Sequence, residues 1–69
     1  MNRIAAERKI LGITQEELSS MVGVSPSTIN RWECEEPISW AALVSMRRIF
    51  NVDIDWLLGL SDERHVIAN

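Results

Sequence analysis

An all-α fold, a compact arrangement of five short helices, follows from three observations on this sequence. Helix start and stop signals recur at short intervals over residues 1–60, with apolar residues between them at helical spacing. The stretch Gly12 to Glu33, GITQEELSSMVGVSPSTINRWE, holds two complete sets of such signals with only a turn between them. The chain has 69 residues, near the size at which a single core is marginal, which favours helices joined by short loops.

Each helix has a local cause. Asn2 is placed to cap the first, which carries Ile4, Arg8 and Leu11 on one side and ends at Gly12. Thr14 followed by Glu17 is a capping box: the Thr14 hydroxyl accepts from the Glu17 amide, and the Glu17 carboxylate reaches back to the Thr14 amide. The second helix therefore begins at Gln15, with Leu18, Met21 and Val22 as its apolar stripe. Gly23 can take the left-handed conformation that lets the chain turn sharply. Ser25 caps the third helix, Pro26 fills its first position without losing a hydrogen bond, and Ile29 and Trp32 form its inward face. Glu35, Glu36 and Pro37 form a loop. Ser39 caps a fourth helix with Leu43, Met46 and Phe50 buried, ended by Asn51. Asp53 can cap a fifth, which Gly59 stops. The tail from Ser61 to Asn69 lacks caps and is expected to be loose.

The spacing of residues 12–33 resembles the helix-turn-helix of the phage Cro and CI repressor class. Gln15 opens the first helix of the motif, small Ser19 stands where the helices cross, and Gly23 matches the turn glycine. Leu18, Val22, Val24, Ile29 and Trp32 match its apolar positions. Asn51-Val-Asp-Ile-Asp-Trp-Leu-Leu-Gly59 is similar to the short helix that closes these domains, so the resemblance covers about residues 3 to 60. It implies a five-helix lambda-repressor-like domain at residues 1–60, with double-stranded DNA as partner and the third helix entering the major groove.

With Ile29 and Trp32 inward, the helical turn sends Ser27, Asn30 and Arg31 outward, with Pro26 at the exposed tip. These four are the candidate base contacts. Arg31 leads, because its planar fork can donate twice to guanine O6 and N7, whereas the plain alternative is a solvated surface arginine. Asn30 can read adenine or meet only water, and Pro26 can pack against a thymine methyl. The hydroxyls of Ser27 and Thr28 can serve a base edge, a phosphate or their own helix turn, and Thr28 is set with the phosphate contacts. Resemblance places Gln15 against a phosphate, at a helix start whose free amides attract anions, and Ser25 can add to that contact. Resemblance also makes Arg8 and Glu33 an internal ion pair that fixes the third helix against the first.

Seven basic residues against ten acidic give a net charge of −3, which opposes DNA affinity in general. The acid is unevenly spread. Residues 1–31 hold Arg3, Arg8, Lys9 and Arg31 against Glu7, Glu16 and Glu17, so the expected DNA-facing half is slightly basic. The stretch Cys34-Glu35-Glu36 stands where the resembled family tends to show a glycine and then a basic residue, and has neither, so that family's loop contacts are not carried over to these positions.

One motif covers only about four or five base pairs, so two copies reading half-sites a helical turn apart are the expected design. In the resembled family pairing maps onto Pro37, Trp40, Ile54, Trp56 and Leu57. Trp32 and Trp56 occupy inward positions and read first as core, while Trp40 stands at an exposed helix start. Function as a transcriptional regulator, a repressor that occludes a promoter, follows as the leading expectation. The alternative is a protein-interaction module on the same fold, with an acidic surface that binds a partner such as a toxin or a polymerase subunit.

Other chemistry finds no footing in the sequence. Cys34 and His65 lack further ligands at zinc spacing, and His65 reads as a solvated tail residue. No serine has a histidine in an ordered segment to activate it, and no glycine-rich phosphate loop is present. No enzyme activity, metal, cofactor or small-molecule substrate is therefore expected. No apolar run approaches the roughly eighteen residues of a membrane span, and neither a signal peptide nor a disulfide is expected, which points to the cytoplasm.

Overall fold

The structure, a computed structural model, describes residues 1–67. Five helices follow in order: α1 (Ile4–Leu11), α2 (Gln15–Val22), α3 (Pro26–Glu33), α4 (Trp40–Phe50) and α5 (Ile54–Leu57). The capping signals act as their chemistry requires. Thr14 and Glu17 form both halves of the box, with the Glu17 amide on the Thr14 hydroxyl and the Thr14 amide on the Glu17 carboxylate, each at 3.0 Å. The Ser25 and Ser39 hydroxyls accept from the amides of Thr28 and Ala42. Gly12, Gly23 and Asn51 close α1, α2 and α4 in the left-handed conformation. Asp53 bounds α5 but, against expectation, its side chain makes no capping hydrogen bond.

Ile4, Leu18, Ile29, Met46, Val52 and Leu57 are fully buried, joined by Trp32, Ala42, Leu43 and Phe50 in one core that every helix enters. Full burial of a side chain such as Ile29 is worth about 1.5–3 kcal/mol, and this term, rather than propensity, holds eight-residue helices folded. Among the described residues no helix is long and apolar enough to cross a membrane.

Four further local expectations need correction. Met21 is 54% exposed. The buried arc of α2 runs from Leu18 through Val22 to Ser19, which packs inward as well, and at about 100° per residue Met21 falls off its far edge. Leu11 is 46% exposed, and Ile13, beyond the Gly12 turn, packs against the core in its place. Arg3, not Asn2, bounds α1. Asn2 Oδ1 still accepts from the Ile4 amide at 3.2 Å, while Asn2 Nδ2 donates to the Trp32 carbonyl at 2.7 Å and ties the start of α1 to the end of α3.

The fourth correction concerns the tail. Residues 61–67 fold back on the helical body, although they hold no helix. Arg64 grips Glu7 of α1 with two hydrogen bonds, Val66 pairs antiparallel with Val52, and the Ile67 amide donates to the Asn51 carbonyl at 2.9 Å. Gly59 makes the entry to this strap possible: its φ is +78°, and a Cβ there would run into the Met1 carbonyl. Residues 68 and 69 of the expected loose tail lie outside the described residues.

Candidate nucleic-acid interface

α2 and α3 pack together across the three-residue turn Gly23-Val24-Ser25. Ser19 makes the close crossing possible, since it is small, almost fully buried, and spends its hydroxyl on the Glu16 carbonyl at 2.7 Å. Ile29 and Trp32 anchor the back of α3 in the core, and Pro26, Ser27, Asn30 and Arg31 are all exposed on its front. Thr28 lies at the margin between the two faces.

Behind that face stands a network that sets the position of α3. Arg8 Nε donates to Glu33 Oε2 at 2.7 Å, with Nη2 reaching Oε1 at 3.4 Å, and Arg8 Nη1 donates to the Ile13 carbonyl at 2.9 Å. The Arg8 and Glu33 side chains keep only 14% and 9% of their surface. Gln15 Nε2 donates to the same Glu33 carboxylate at 2.9 Å and to Asn30 Oδ1 at 3.2 Å. A carboxylate only accepts, so the Gln15 amide must present its nitrogen, and the first residue of α2 becomes a bridge to α3. The family resemblance implies a phosphate contact for Gln15 and carries no hint of this bridge. Both hydrogens of its amide are committed inside the chain, and the Glu17 amide of the same turn is taken by the Thr14 hydroxyl.

The hydroxyls at the start of α3 are linked as well. Ser25 Oγ lies 3.0 Å from Ser27 Oγ and 2.9 Å from Thr28 Oγ1, and Arg31 Nη2 donates to Thr28 Oγ1 at 3.1 Å. The chain of contacts holds Arg31 along the helix rather than free in solvent. Asn30 accepts from Gln15 through one lone pair and keeps its own amide hydrogens outward.

The end of α3 departs from expectation. Glu35 has φ +73°, a left-handed position usually given to glycine. Its amide donates to the Trp32 carbonyl and the next amide, of Glu36, donates to the Arg31 carbonyl, both at 3.1 Å. That pair of bonds is the Schellman closure of a helix. A non-glycine residue there costs roughly 1–2 kcal/mol, offset in part by the Glu35 carboxylate, which accepts from the Asn2 amide at 3.1 Å. Neither acidic side chain hangs free: Glu36 Oε2 stands 3.8 Å from Arg31 Nε. The glycine that the resembled family tends to show in this stretch is absent, so the local residues do not mark the closure. A left-handed residue two after a helix end is nevertheless what the bonds to Arg31 and Trp32 demand.

The residues expected at a dimer interface divide. Trp40 is 69% exposed and Pro37 is exposed, whereas Ile54 and Trp56 are half-buried. Trp56 lies under the Arg3 guanidinium, 3.6 Å from its ring centre, and its indole N–H donates to Glu7 at 2.9 Å. Leu57 is fully buried in the chain's own core and presents nothing to a partner, so, against expectation, it has no place in an interface. His65 is exposed as expected but paired, 2.9 Å from Glu63 and 3.8 Å from Asp53.

Comparison with known proteins agrees with this geometry. Residues 4–57 match the family model described as helix-turn-helix. The chain is 31% identical over 64 residues to YobD, an uncharacterized HTH-type transcriptional regulator of Bacillus subtilis (strain 168), a match that covers 88% of this chain and 55% of that protein. The chain thus spans about half the length of this curated relative. No solved structure matches it significantly.

Proposed function

We propose, from the premise that this chain belongs to the helix-turn-helix family, that it is a sequence-specific DNA-binding transcriptional regulator acting in the cytoplasm. The observation that carries the reading is the front of α3. Pro26, Ser27, Asn30 and Arg31 are exposed together, on a helix whose back is locked by Ile29, Trp32 and the Glu33 network. A rigid helix with short polar groups and one arginine outward is what major-groove reading requires.

In this reading α3 lies in the groove with its N-terminal part against the base edges. Arg31 donates to guanine O6 and N7, Asn30 and Ser27 meet neighbouring edges, and Pro26 packs on a thymine methyl. The start of α2 receives a backbone phosphate on its free amides, with Ser25 and Thr28 beside it. Two copies bind a palindromic operator and occlude a promoter. The exposed Trp40 and Pro37, with the accessible edges of Ile54 and Trp56, form the pairing surface.

Selection of bound sequences from a random duplex library tests this. An enriched palindrome is expected, and Arg31→Ala should cost roughly 1–3 kcal/mol and blur one guanine position in each half-site. Affinity should fall as salt rises. No enrichment even at low salt would overturn the DNA reading in favour of a protein partner.

A further inference from the structure

We infer that Glu36 is a specificity-determining residue that works through Arg31, making the arginine a reader of bases by keeping it from phosphates. The inference rests on the DNA reading above and adds a residue to it.

Three observations place Glu36 in this role. Its backbone is fixed, because the closure of α3 bonds its amide to the carbonyl of Arg31 itself. In a Schellman closure the side chains of these two positions meet, often as an apolar contact. Here the meeting pair is a carboxylate and a guanidinium, 3.8 Å apart. Arg31 is also the sole basic residue of α3, so whatever governs its guanidinium governs the charge of the whole reading helix. Finally, the side chains of Arg31 and Glu36 keep 60% and 55% of their surface, so the pair adds little to folding and its placement is free to serve binding.

The chemistry separates two kinds of acceptor. Arg31 donates one hydrogen to Thr28 from Nη2 and has Nε beside Glu36, which leaves hydrogens on both terminal nitrogens for a forked contact. Guanine O6 and N7 carry only partial negative charge and can take that fork with the carboxylate behind it. A phosphate oxygen carries formal charge, and at Arg31 it would stand near Glu36 as well, where repulsion offsets the attraction. Glu36 thereby weakens contacts that carry no sequence information more than those that do.

The test compares Glu36→Gln with wild type on two probes: a duplex enriched from the random library and a scrambled duplex of the same composition. For Glu36→Gln, affinity for the scrambled duplex should rise about tenfold and for the enriched duplex by at most about threefold, so the ratio between them falls. The salt dependence on scrambled duplex should steepen by about one unit per subunit as Arg31 takes a phosphate. Asp62→Asn removes the same charge from the exposed C-terminal segment and should shift both affinities equally. In an Arg31→Ala background the effect of Glu36→Gln should vanish. An unchanged ratio, or an effect that persists without Arg31, overturns the role of Glu36 while leaving DNA binding intact. Failure of the wild-type chain to bind any duplex at low salt overturns the DNA reading itself, and this inference with it.

Discussion

Glu7 and Arg8 are neighbours on α1, and each is clasped by an opposite charge from a distant part of the chain. Arg8 takes Glu33 from α3, and Glu7 takes Arg64 from the C-terminal strap. The two pairs share a 2.7 Å contact yet differ in what surrounds them. In the first, both partners are nearly enclosed, and Gln15 and the Ile13 carbonyl complete the hydrogen bonding. In the second, Glu7 keeps 2% of its side-chain surface while Arg64 keeps 34% and lies on a segment with no helix of its own. One pair joins two elements that the core already holds. The other supplies much of what holds its segment, so the same chemistry serves as a brace at one site and as a fastener at the other.

The brace should be the costlier to break. Arg8→Ala leaves the Glu33 carboxylate enclosed with only the Gln15 amide, and an uncompensated buried charge costs about 3–5 kcal/mol, toward the lower figure here because the pair is not wholly cut off from water. For a domain of this size that is a drop in Tm of on the order of 15 °C, readable by calorimetry. Since Glu33 ends α3, DNA affinity measured well below the new Tm should fall as well. An Arg8→Ala variant as stable as wild type would show that the brace is ornamental.

Opening the fastener should cost less. Arg64→Ala leaves Glu7 with the Trp56 indole as partner, but the strap can lift and admit water, so about 1–2 kcal/mol is expected. The loss should appear first in hydrogen exchange of the Ile67 amide and only weakly in the amides of α3. The pair also sets an acid limit. The hydrogen bonds from Arg64, helped by Trp56 and opposed by burial, hold the Glu7 carboxyl below its ordinary value of 4.5. The folded state therefore binds the proton less readily than the unfolded chain does. Its contribution is complete above about pH 4.5 and is lost as pH falls through the lowered folded value. Arg64→Ala should move the acid unfolding midpoint to higher pH, and an unchanged midpoint would remove Glu7 from the account of acid stability.

The brace is legible in the sequence and the fastener is not, for a physical reason. Helix starts at Gln15, Pro26 and Trp40 are local chemistry, written in Thr14, Ser25 and Ser39 a few bonds away, and the structure follows them. Arg8 and Glu33 are legible through the family resemblance, which implies their pairing. Arg64 lies 57 residues from Glu7, in a stretch with neither caps nor periodicity, and nothing local in either residue announces the other. The same holds at the candidate interface. The outward set Ser27, Asn30 and Arg31 follows from the helix period, but the Gln15 bridge and the contact of Glu36 with Arg31 depend on how one helix end meets another chain segment. Glu35 hides the second of these, because a left-handed glutamate does not carry the signal that glycine would.

The smallest expected effect sharpens the view of the strap as a fastened segment. His65 lies between Glu63 at 2.9 Å and Asp53 at 3.8 Å, and these carboxylates, Glu63 foremost, raise its pKa above the ordinary 6.5. The sign is opposite to that of Glu7. Glu63 belongs to the strap itself, so only the weaker Asp53 contact lets the protonated ring favour the docked strap, a small gain that is complete below about pH 6.5 and lost as pH rises through the raised folded value. The strap should accordingly be held best between the two limits, above about pH 4.5 and below about pH 6.5, and loosen on either side. His65 is exposed, so salt at physiological strength should flatten the upper limb while leaving the lower one, set by enclosed Glu7, nearly unchanged. Exchange of the Ile67 amide across pH at low and high salt reads both limbs after correction for intrinsic exchange. His65→Asn should abolish the upper limb alone, whereas loss of both limbs together would mean that the strap is held by something other than these two charges.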